Sequence, residues 1–133
     1  MPVELDIVSP EKLLLSRAVE MVVLPAYEGE MGVLVGHAPM IVLLRGGVIR
    51  LYDGGTVREQ LYVSGGFAEI TQERVTVLAT EATPLADVSR DEGQRRLAAA
   101  EADYAAADKE DVVLLDAAMD RIQSARAMLD AAA

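Results

Sequence analysis

Hydrophobic residues in the first 86 positions fall into short runs separated by turn-forming residues. The runs are rich in Val, Ile and Thr, and several alternate with polar residues, as in Leu5-Asp6-Ile7 and Gln60-Leu61-Tyr62-Val63. A period of two indicates strands with one buried face and one face toward water. Nine such runs occupy residues 3–8, 12–15, 21–24, 33–35, 41–44, 48–52, 57–63, 67–70 and 75–79.

Glycines mark the connections between these runs. Asp53-Gly54-Gly55 separates two of them and is a strong hairpin signal, because Gly accepts the positive φ that two-residue turns require. Gly46-Gly47 and Gly65-Gly66 indicate further turns or bulges. Residues 1–86 are therefore predicted to form a flattened antiparallel β-sandwich or barrel of about nine or ten strands.

After residue 86 the period changes to that of a helix. Nine of the ten Gly and all five Pro precede this point, whereas 14 Ala fall between positions 98 and 133. Ser89-Arg90-Asp91-Glu92 fits a capping box for a first helix. A second helix is predicted to follow a turn near residues 106–111, with Asp108 as its cap, and to run to about residue 131. The apolar stripes are Leu97, Ala100, Tyr104 and Ala107 on the first helix, with Val112, Leu115, Met119, Ile122 and Leu129 and the adjacent Leu114, Ala118, Ala125 and Met128 on the second.

Residues 87–133 are thus predicted to form an antiparallel two-helix hairpin with narrow, Ala-rich apolar stripes. At roughly 25 cal/mol per Å² of buried surface, such stripes scarcely exceed the entropy cost of ordering the helices. We therefore expect the hairpin to dock weakly, on the barrel or on another protein. A weakly docked element can occupy two positions.

Charge and composition exclude several classes of partner. The formal net charge is −10, with 11 acidic against 6 basic residues in each of the two parts of the chain. Such a surface repels nucleic acid and anionic lipid, so neither is expected as a partner. Cys is absent, which excludes disulfides and thiolate chemistry. We expect no signal or transit peptide and no transmembrane segment, since no apolar run approaches about 20 residues.

Candidate catalytic groups are few. His37 is the only histidine and lies in a predicted turn, where a metal site or a catalytic triad would need groups that the neighbouring sequence does not supply. We interpret it as a turn histidine bonded to the backbone. Glu28 and Glu30 alternate along a predicted loop, and we interpret them as solvated acids, because acid–base hydrolysis requires a cleft and a raised pKa. The glycines at 29, 32 and 36 lack the Lys-Ser/Thr of a phosphate loop, so no cofactor is predicted.

Four segments stand out by their order and spacing. They are Val8-Ser-Pro-Glu-Lys-Leu-Leu-Leu-Ser16, Gly29-Glu-Met-Gly-Val-Leu-Val-Gly-His-Ala-Pro-Met40, Ser64-Gly-Gly-Phe-Ala-Glu-Ile70 and Val75-Thr-Val-Leu-Ala-Thr-Glu-Ala82. Together they resemble the ε subunit of the bacterial-type F1 ATP synthase, with Leu15 where the family's opening pattern has Phe. The resemblance is close over residues 1–86 and looser beyond.

The resemblance implies a structural and regulatory role without chemistry of its own. It implies a β-sandwich that clamps the γ subunit and rests on the c-ring, coupling rotation to ATP synthesis in the αβ head. It also implies a mobile regulatory hairpin over residues 87–133 that contacts α and β transiently. The expected location is the cytoplasmic face of the bacterial inner membrane, peripheral and bound only through the complex.

The resemblance also suggests which residues carry these contacts. The c-ring loop of the family corresponds to the segment containing Glu30, and the γ contact is expected around residues 33–44 and 64–67. The residues proposed for partner binding are Glu28, Glu30, Met31, His37, Met40, Ser64 and Phe67.

Nucleotide binding is expected to be weak or absent. Some family members bind ATP through an Ile/Leu-Asp-x-x-Arg-Ala motif at the first helix. The corresponding residues here are Val88, Ser89, Glu92 and Gly93, so a carboxylate replaces the motif's cation.

Four of the five arginines in residues 87–133 are proposed for the regulatory contacts, namely Arg95, Arg96, Arg121 and Arg126. In the family, cations of the second helix contact an acidic segment of the catalytic subunit and block rotation. Between Glu110 and Asp130 this chain has five acids against two Arg. Like-charge repulsion should weaken that contact, so we expect this hairpin to inhibit ATP hydrolysis poorly.

Two alternatives from other classes remain open at this point. One is a free-standing enzyme that uses Glu28, Glu30 or His37. The other is a stand-alone ATP-sensing module of the same fold, which calorimetry on the isolated chain would detect.

Overall fold

The computed structural model describes residues 2–132, and this part of the chain contains ten strands, a short 3-10 helix and two α-helices. The strands precede the helices, as the two periodicities predicted. The strands are β1 (Val3–Val8), β2 (Leu13–Val19), β3 (Met21–Ala26), β4 (Gly29–Leu34), β5 (Met40–Leu44), β6 (Gly47–Asp53), β7 (Thr56–Val63), β8 (Gly66–Ile70), β9 (Arg74–Leu78) and β10 (Ala82–Pro84).

One sheet contains all of these strands, in the order β10-β7-β6-β3-β5-β8-β9-β1-β2, with β4 paired to β3. The sheet curls so that β2, at one end of this order, comes close to β7 near the other end. The Arg17 side chain on β2 donates to the Glu59 carboxylate on β7 at 3.3 Å. The predicted flattened sandwich of nine or ten strands is confirmed. One pairing departs from the antiparallel prediction, since β1 and β9 run parallel. The strand β10 was missed because its three residues are too short to show a period.

The core lies between the two layers of this folded sheet. Alternate residues point inward, so Val3, Leu5 and Ile7 of β1 are fully buried while Glu4 is exposed. Each strand contributes its inward set to a single cluster of Val, Leu, Ile and Ala side chains. Fully burying one such side chain contributes about 1.5–3 kcal/mol, which explains how a chain with no Trp builds a stable sandwich.

The predicted turn at Asp53-Gly54-Gly55 is present between β6 and β7. Gly54 and Gly55 have φ of 61° and 78°. Positive φ at both central residues gives the turn the twist of the flanking strands. The Asp53-Gly54-Gly55 pattern therefore predicted both the position of this hairpin and the positive φ of its turn residues.

Two helices follow the barrel, α1 (Arg90–Ala106) and α2 (Val112–Ala131). Ser89 caps α1 by accepting a hydrogen bond from the backbone N–H of Glu92 at 3.1 Å, as predicted. The predicted cap of α2 was wrong by three residues. Asp111 caps it by accepting from the N–H of Leu114 at 3.1 Å, whereas Asp108 stabilises the preceding turn by accepting from the N–H of Glu110 at 2.9 Å.

In the stripe predicted on α1, Ala100 is buried and Leu97, Tyr104 and Ala107 are half-buried. The stripes predicted on α2 are only partly correct. Ala118, Ile122, Ala125 and Met128 are buried. The first turn of α2 instead exposes its apolar residues, and Met119 is exposed further along the helix. The apolar period fitted several faces of this helix, so it did not identify the buried one. The exposed members of the predicted stripes are Val112, Leu114 and Met119.

No helix among residues 2–132 combines the length and the apolar character needed to cross a bilayer.

Candidate functional site

An exposed apolar surface lies on the outer side of β5, β8 and β9. Leu43 pairs with Phe67, and Phe67 pairs with Leu78, so the three side chains form one row across the strands. They are 64%, 40% and 36% exposed, and Ile41 in the next row is 68% exposed. We call these four residues, Ile41, Leu43, Phe67 and Leu78, the apolar face. Contiguous exposed apolar surface of this kind marks a site of protein association.

Strand alternation explains why the apolar face exists. Met40–Leu44 is apolar at all five positions, so β5 presents apolar residues on both sides of the sheet. Val42 and Leu44 face the core, which leaves Ile41 and Leu43 outward. The sequence prediction named Phe67, and its range 33–44 contains Ile41 and Leu43 without naming them, whereas Leu78 lies outside the predicted ranges. The uninterrupted run of β5 was the available signal, because a half-buried strand should alternate.

Ser64 and Phe67 lie together beside a groove of about 490 Å³. The groove runs between the apolar face and α2, and its far wall contains Asp120 and Gln123. Ser64 contacts Thr80 through their hydroxyl oxygens, 3.2 Å apart. These two predicted residues are therefore brought together at one edge of the apolar face.

Glu28, Glu30, Met31 and Met40 line a second, shallow groove of about 460 Å³ on the other side of Leu43. The prediction that both glutamates lie in a loop was wrong for Glu30. Glu28 is in the turn, but Glu30 is in β4 and forms an ion pair with Arg50 of β6. Met31 is half-buried against the core, whereas Met40 is 39% exposed at the start of β5.

His37 lies in neither groove. It follows β4 in a turn, and its ring Nδ1–H donates to the carbonyl oxygen of Ala38 at 2.8 Å. This is the backbone-bonded turn histidine that the sequence indicated. Within residues 2–132, no three imidazole or carboxylate groups converge as metal ligation would require.

The hairpin docks on the barrel through α2. Gln123 forms two hydrogen bonds with Gly46, accepting from its N–H at 2.9 Å and donating to its carbonyl oxygen at 2.7 Å. The Tyr62 hydroxyl donates to the carbonyl oxygen of Ser124 at 2.8 Å and lies 2.7 Å from the Ser124 hydroxyl. We call Gly46, Tyr62, Gln123 and Ser124 the docking seam. A Cβ on Gly46 would lie only 2.5 Å from the Ser124 Cα, so the absence of a side chain is what permits this approach.

Three of the four arginines predicted to act in regulation contact carboxylates of the same chain. Glu92 pairs with both Arg95 and Arg96, and Arg96 also reaches Glu81 beside the last strand. Arg121 lies 3.4 Å from Asp103 of α1, while Arg126 is exposed. The hydrogen bond to Glu81 raises the pKa of Arg96. Among these pairs, Arg96–Glu81 joins the hairpin to the barrel, whereas the others lie within the hairpin.

The residues at the degenerate nucleotide motif have structural roles here. Ser89 caps α1 and Glu92 anchors two arginines. Gly93 packs α1 against α2, since a Cβ there would lie 3.0 Å from Leu129 Cδ2. The nearby groove of about 470 Å³ places Arg96 and Arg121 beside Glu81, Asp103 and Asp120. Its acids outnumber its cations, which is unfavourable for a polyphosphate.

Ionisation of Tyr62 is expected to weaken the docking seam. Burial raises the pKa of Tyr62 above its usual value of 10.0, and the charge of Glu81 raises it further, whereas the Ser124 hydrogen bond and Arg96 lower it. Because the folded-state pKa lies above the unfolded one, the stabilisation is complete below pH 10 and is lost as the pH rises through the folded-state pKa. The advantage in unfolding free energy of the wild type over Tyr62→Phe should therefore shrink above pH 10. Denaturant melts of both proteins between pH 8 and 11.5 measure this, and a pH-independent difference contradicts it.

Comparison with known proteins assigns the chain to a family. Residues 2–85 match the family described as the β-sandwich domain of the ATP synthase delta/epsilon chain. The chain is 66% identical over 128 residues to the ATP synthase epsilon chain of Granulibacter bethesdensis, covering 96% of this chain and 95% of the relative. It is 49% identical over 132 residues to that of Gluconacetobacter diazotrophicus, covering 99% and 94%.

A solved structure shares the fold along the whole chain. It is a chain in the cryo-EM structure of the Euglena gracilis mitochondrial ATP synthase, described as OSCP/F1/c-ring in rotational state 1. The TM-score is 0.75 at 25% identity, over 98% of this chain and 81% of that one.

Proposed function

This chain belongs to the family of ATP synthase epsilon chains, and we propose that its apolar face is the surface that binds the γ subunit. The chain is a non-catalytic subunit of the central stalk, with γ and the c-ring as partners in the complex. A subunit that transmits rotation needs a stiff body and a broad contact, and an interface of this kind should bury more than about 1,000 Å².

The row formed by Leu43, Phe67 and Leu78 carries this proposal. These large apolar side chains lie on a rigid sheet and remain exposed in the isolated chain. Co-expression with the cognate γ subunit, followed by gel filtration in moderate salt, tests the proposal. We expect one stoichiometric complex, and separate elution of the two chains would contradict it.

We further propose that the shallow groove beside β4 rests on the c-ring. Glu28, Glu30, Met31 and Met40 line it, which gives an acidic rim around partly exposed apolar groups. Exposed ion pairs contribute only about 0–1 kcal/mol each, so shape and apolar contact supply most of the affinity. His37 lies in the turn that follows β4 and is proposed as a contact at the edge of this surface.

The location follows from the complex. The chain is part of the peripheral F1 sector, and we propose that it sits at the cytoplasmic face of a bacterial inner membrane. This proposal is supported by the relatives from Granulibacter bethesdensis and Gluconacetobacter diazotrophicus, both of which are bacteria. Contact with the membrane is then made only through the complex.

We propose that residues 1–86 form the binding body and residues 87–133 form a mobile regulatory hairpin. The seam holding the hairpin consists of a few hydrogen bonds and small side chains. Each neutral hydrogen bond stabilises by only about 0.5–1.5 kcal/mol, so undocking is accessible. When undocked, the hairpin reaches the α and β subunits transiently.

The hairpin is expected to inhibit ATP hydrolysis only weakly. Acids outnumber arginines on α2, and Arg121 is already paired with Asp103. Deleting residues 87–133 should therefore raise the ATPase rate of the assembled complex by less than about threefold. The control is the stoichiometry of the purified complex, which the deletion should leave unchanged. A larger increase in rate would show that the hairpin is a strong inhibitor.

The alternative function is a stand-alone ATP-sensing module of the same fold. Glu92 occupies the position where the nucleotide-binding motif has a cation, and Arg96 is bonded to Glu81 and Glu92. Titration calorimetry of the isolated chain with ATP, with and without Mg²⁺, should detect no binding in the sub-millimolar range. A sub-millimolar dissociation constant would favour the alternative.

A further inference from the structure

Glu30 is tied across the sheet to a residue two strands away. Arg50 of β6 lies opposite Val23 of β3, and Val23 lies opposite Gly32 of β4. Side chains two residues apart on a strand point to the same face, so Glu30 shares a face with this row. Because Gly32 places no side chain between them, the Arg50 guanidinium crosses β3 and pairs with the Glu30 carboxylate. The pair therefore links the two strands that flank β3.

This ion pair directs the Glu30 carboxylate away from the groove proposed for the c-ring. Glu30 lines that groove, but Arg50 does not. Arg50 lines a separate groove of about 280 Å³ between the sheet and the last turn of α2, and Glu30 lines this second groove as well. Glu30 thus lies on the ridge between the two grooves, with its counter-charge on the side away from the c-ring groove.

Glu28 has no such counter-charge. It is exposed in the turn between β3 and β4, and within residues 2–132 no arginine or lysine forms an ion pair with it. Its side chain belongs to the rim of the c-ring groove. Of the two acids on this rim, Glu28 is the one whose carboxylate is available to a cation of a partner.

We propose that Arg50 is a positioning residue that neutralises Glu30, so that Glu28 offers the carboxylate that meets a cationic group of the c-ring. This rests on the proposed c-ring surface. A cation that approached Glu30 would have to break its pair with Arg50, and the released guanidinium would repel it. A cation that approaches Glu28 displaces only water.

The charge at this surface is then concentrated in one turn. The edge of β4 meets the c-ring as a neutral ion pair beside the partly exposed Met31 and Met40. Attraction to the ring depends on Glu28 and is screened by salt, because that acid is exposed to solvent.

Charge exchange between Glu30 and Arg50 tests the proposal. The complex of γ with this chain is bound to purified c-ring at low salt. Glu30→Arg leaves two arginines side by side and should weaken binding about fivefold, near the upper range for an exposed pair. Adding Arg50→Glu re-forms the pair in reverse and should restore affinity to within about twofold of the wild type. If the exchanged variant bound no better than Glu30→Arg, Glu30 would itself contact the ring and the proposal would be overturned.

Denaturant melts check that the exchanged variant is folded, since Asp130 also lines the groove that contains position 50. Glu28→Gln supplies a measurement that does not depend on the exchange. It should weaken binding about threefold at low salt and reduce the salt dependence of binding. Glu101→Gln is the matched control, because it removes the same charge from an exposed position on α1 that lines neither groove. Unchanged binding by Glu28→Gln, or an equal loss in the control, would contradict the proposal.

The outcomes separate the two proposals. If the wild-type complex binds the c-ring but charge exchange fails to restore binding, the role of Arg50 is wrong although the c-ring surface stands. If the wild-type complex does not bind the c-ring, the proposed surface itself fails, and the role of Arg50 fails with it.

Discussion

Replacing Leu43 and Phe67 together by Asp is expected to abolish the stoichiometric complex with γ, weakening affinity by roughly a thousandfold or more. The two residues pair across β5 and β8 at the centre of the apolar face and are 64% and 40% exposed. Central apolar side chains of an interface typically contribute 2 kcal/mol or more each, as an order of magnitude. The substitution also leaves two carboxylates buried and unpaired against the partner, which adds to the loss.

The double variant should fold normally, because both side chains point away from the core. Val57→Asp with Val113→Asp is the matched control, since these residues are also apolar, 41% and 78% exposed, and lie on β7 and in the first turn of α2. Gel filtration after co-expression with γ should show the complex for the control and separate chains for the Leu43/Phe67 variant. Equal complex formation by both variants would place the γ contact elsewhere.

Gly66→Ala is expected to destabilise the barrel by about 3 kcal/mol or more. Gly66 has φ of 135°, a region that is strained for any residue with a side chain. A Cβ there would collide with the carbonyl oxygen of Leu78 and lie 3.2 Å from the Ala79 Cα. The obstruction is backbone of the neighbouring strand, so relief requires separating β8 from β9.

Chemical denaturation measures this loss as a lower midpoint, and thermal melting should show a decrease of about 10 °C. Gly32→Ala is the control, because that exposed strand glycine has room for a methyl group, and its effect should stay within about 0.5 kcal/mol. If both glycine variants were equally stable, the close approach of β8 and β9 at Gly66 would not be a structural requirement.

Local chemistry made the barrel predictable from the sequence. The alternation of Leu5-Asp6-Ile7 and the Asp53-Gly54-Gly55 turn each specify their own geometry, and the structure confirms both. Ser89 identified the start of α1 in the same way. Features that depend on residues distant in the chain were less predictable. Glu30 looked like a loop acid because Gly29 and Gly32 flank it and its partner Arg50 lies 20 residues away.

The spacing of apolar residues in α2 did not predict which face of the helix is buried. Apolar residues cover more than half of that helix, so Met119 and Ala118 were equally acceptable as buried positions. The choice is made by Gly46 and Tyr62, which lie 77 and 62 residues away from their partners in α2. Ala118 and Ala125 are buried, whereas Met119 is 52% exposed.

The partner surface was only partly predictable for a related reason. A catalytic site concentrates unusual polar groups, whereas a rotor contact consists of ordinary apolar residues whose significance lies in their exposure. The resemblance named Phe67 and gave the range 33–44, which contains Ile41 and Leu43. Only the sheet shows that these residues face outward together with Leu78. The five-residue apolar run of β5 was the one sequence signal for such a face.

Thiol labelling of single-cysteine variants tests the proposed contact most directly, because the chain has no cysteine of its own. Leu43→Cys and Val57→Cys place one exposed thiol on the apolar face and one on β7, which lies near the other end of the sheet order. Labelling rates are then compared for the free chain and for the chain assembled with γ. We predict that assembly slows labelling at position 43 by at least about tenfold and leaves position 57 unchanged, as burial at an interface requires. Unchanged labelling at position 43 in an assembled complex, or protection at position 57 instead, would contradict a γ contact through the apolar face.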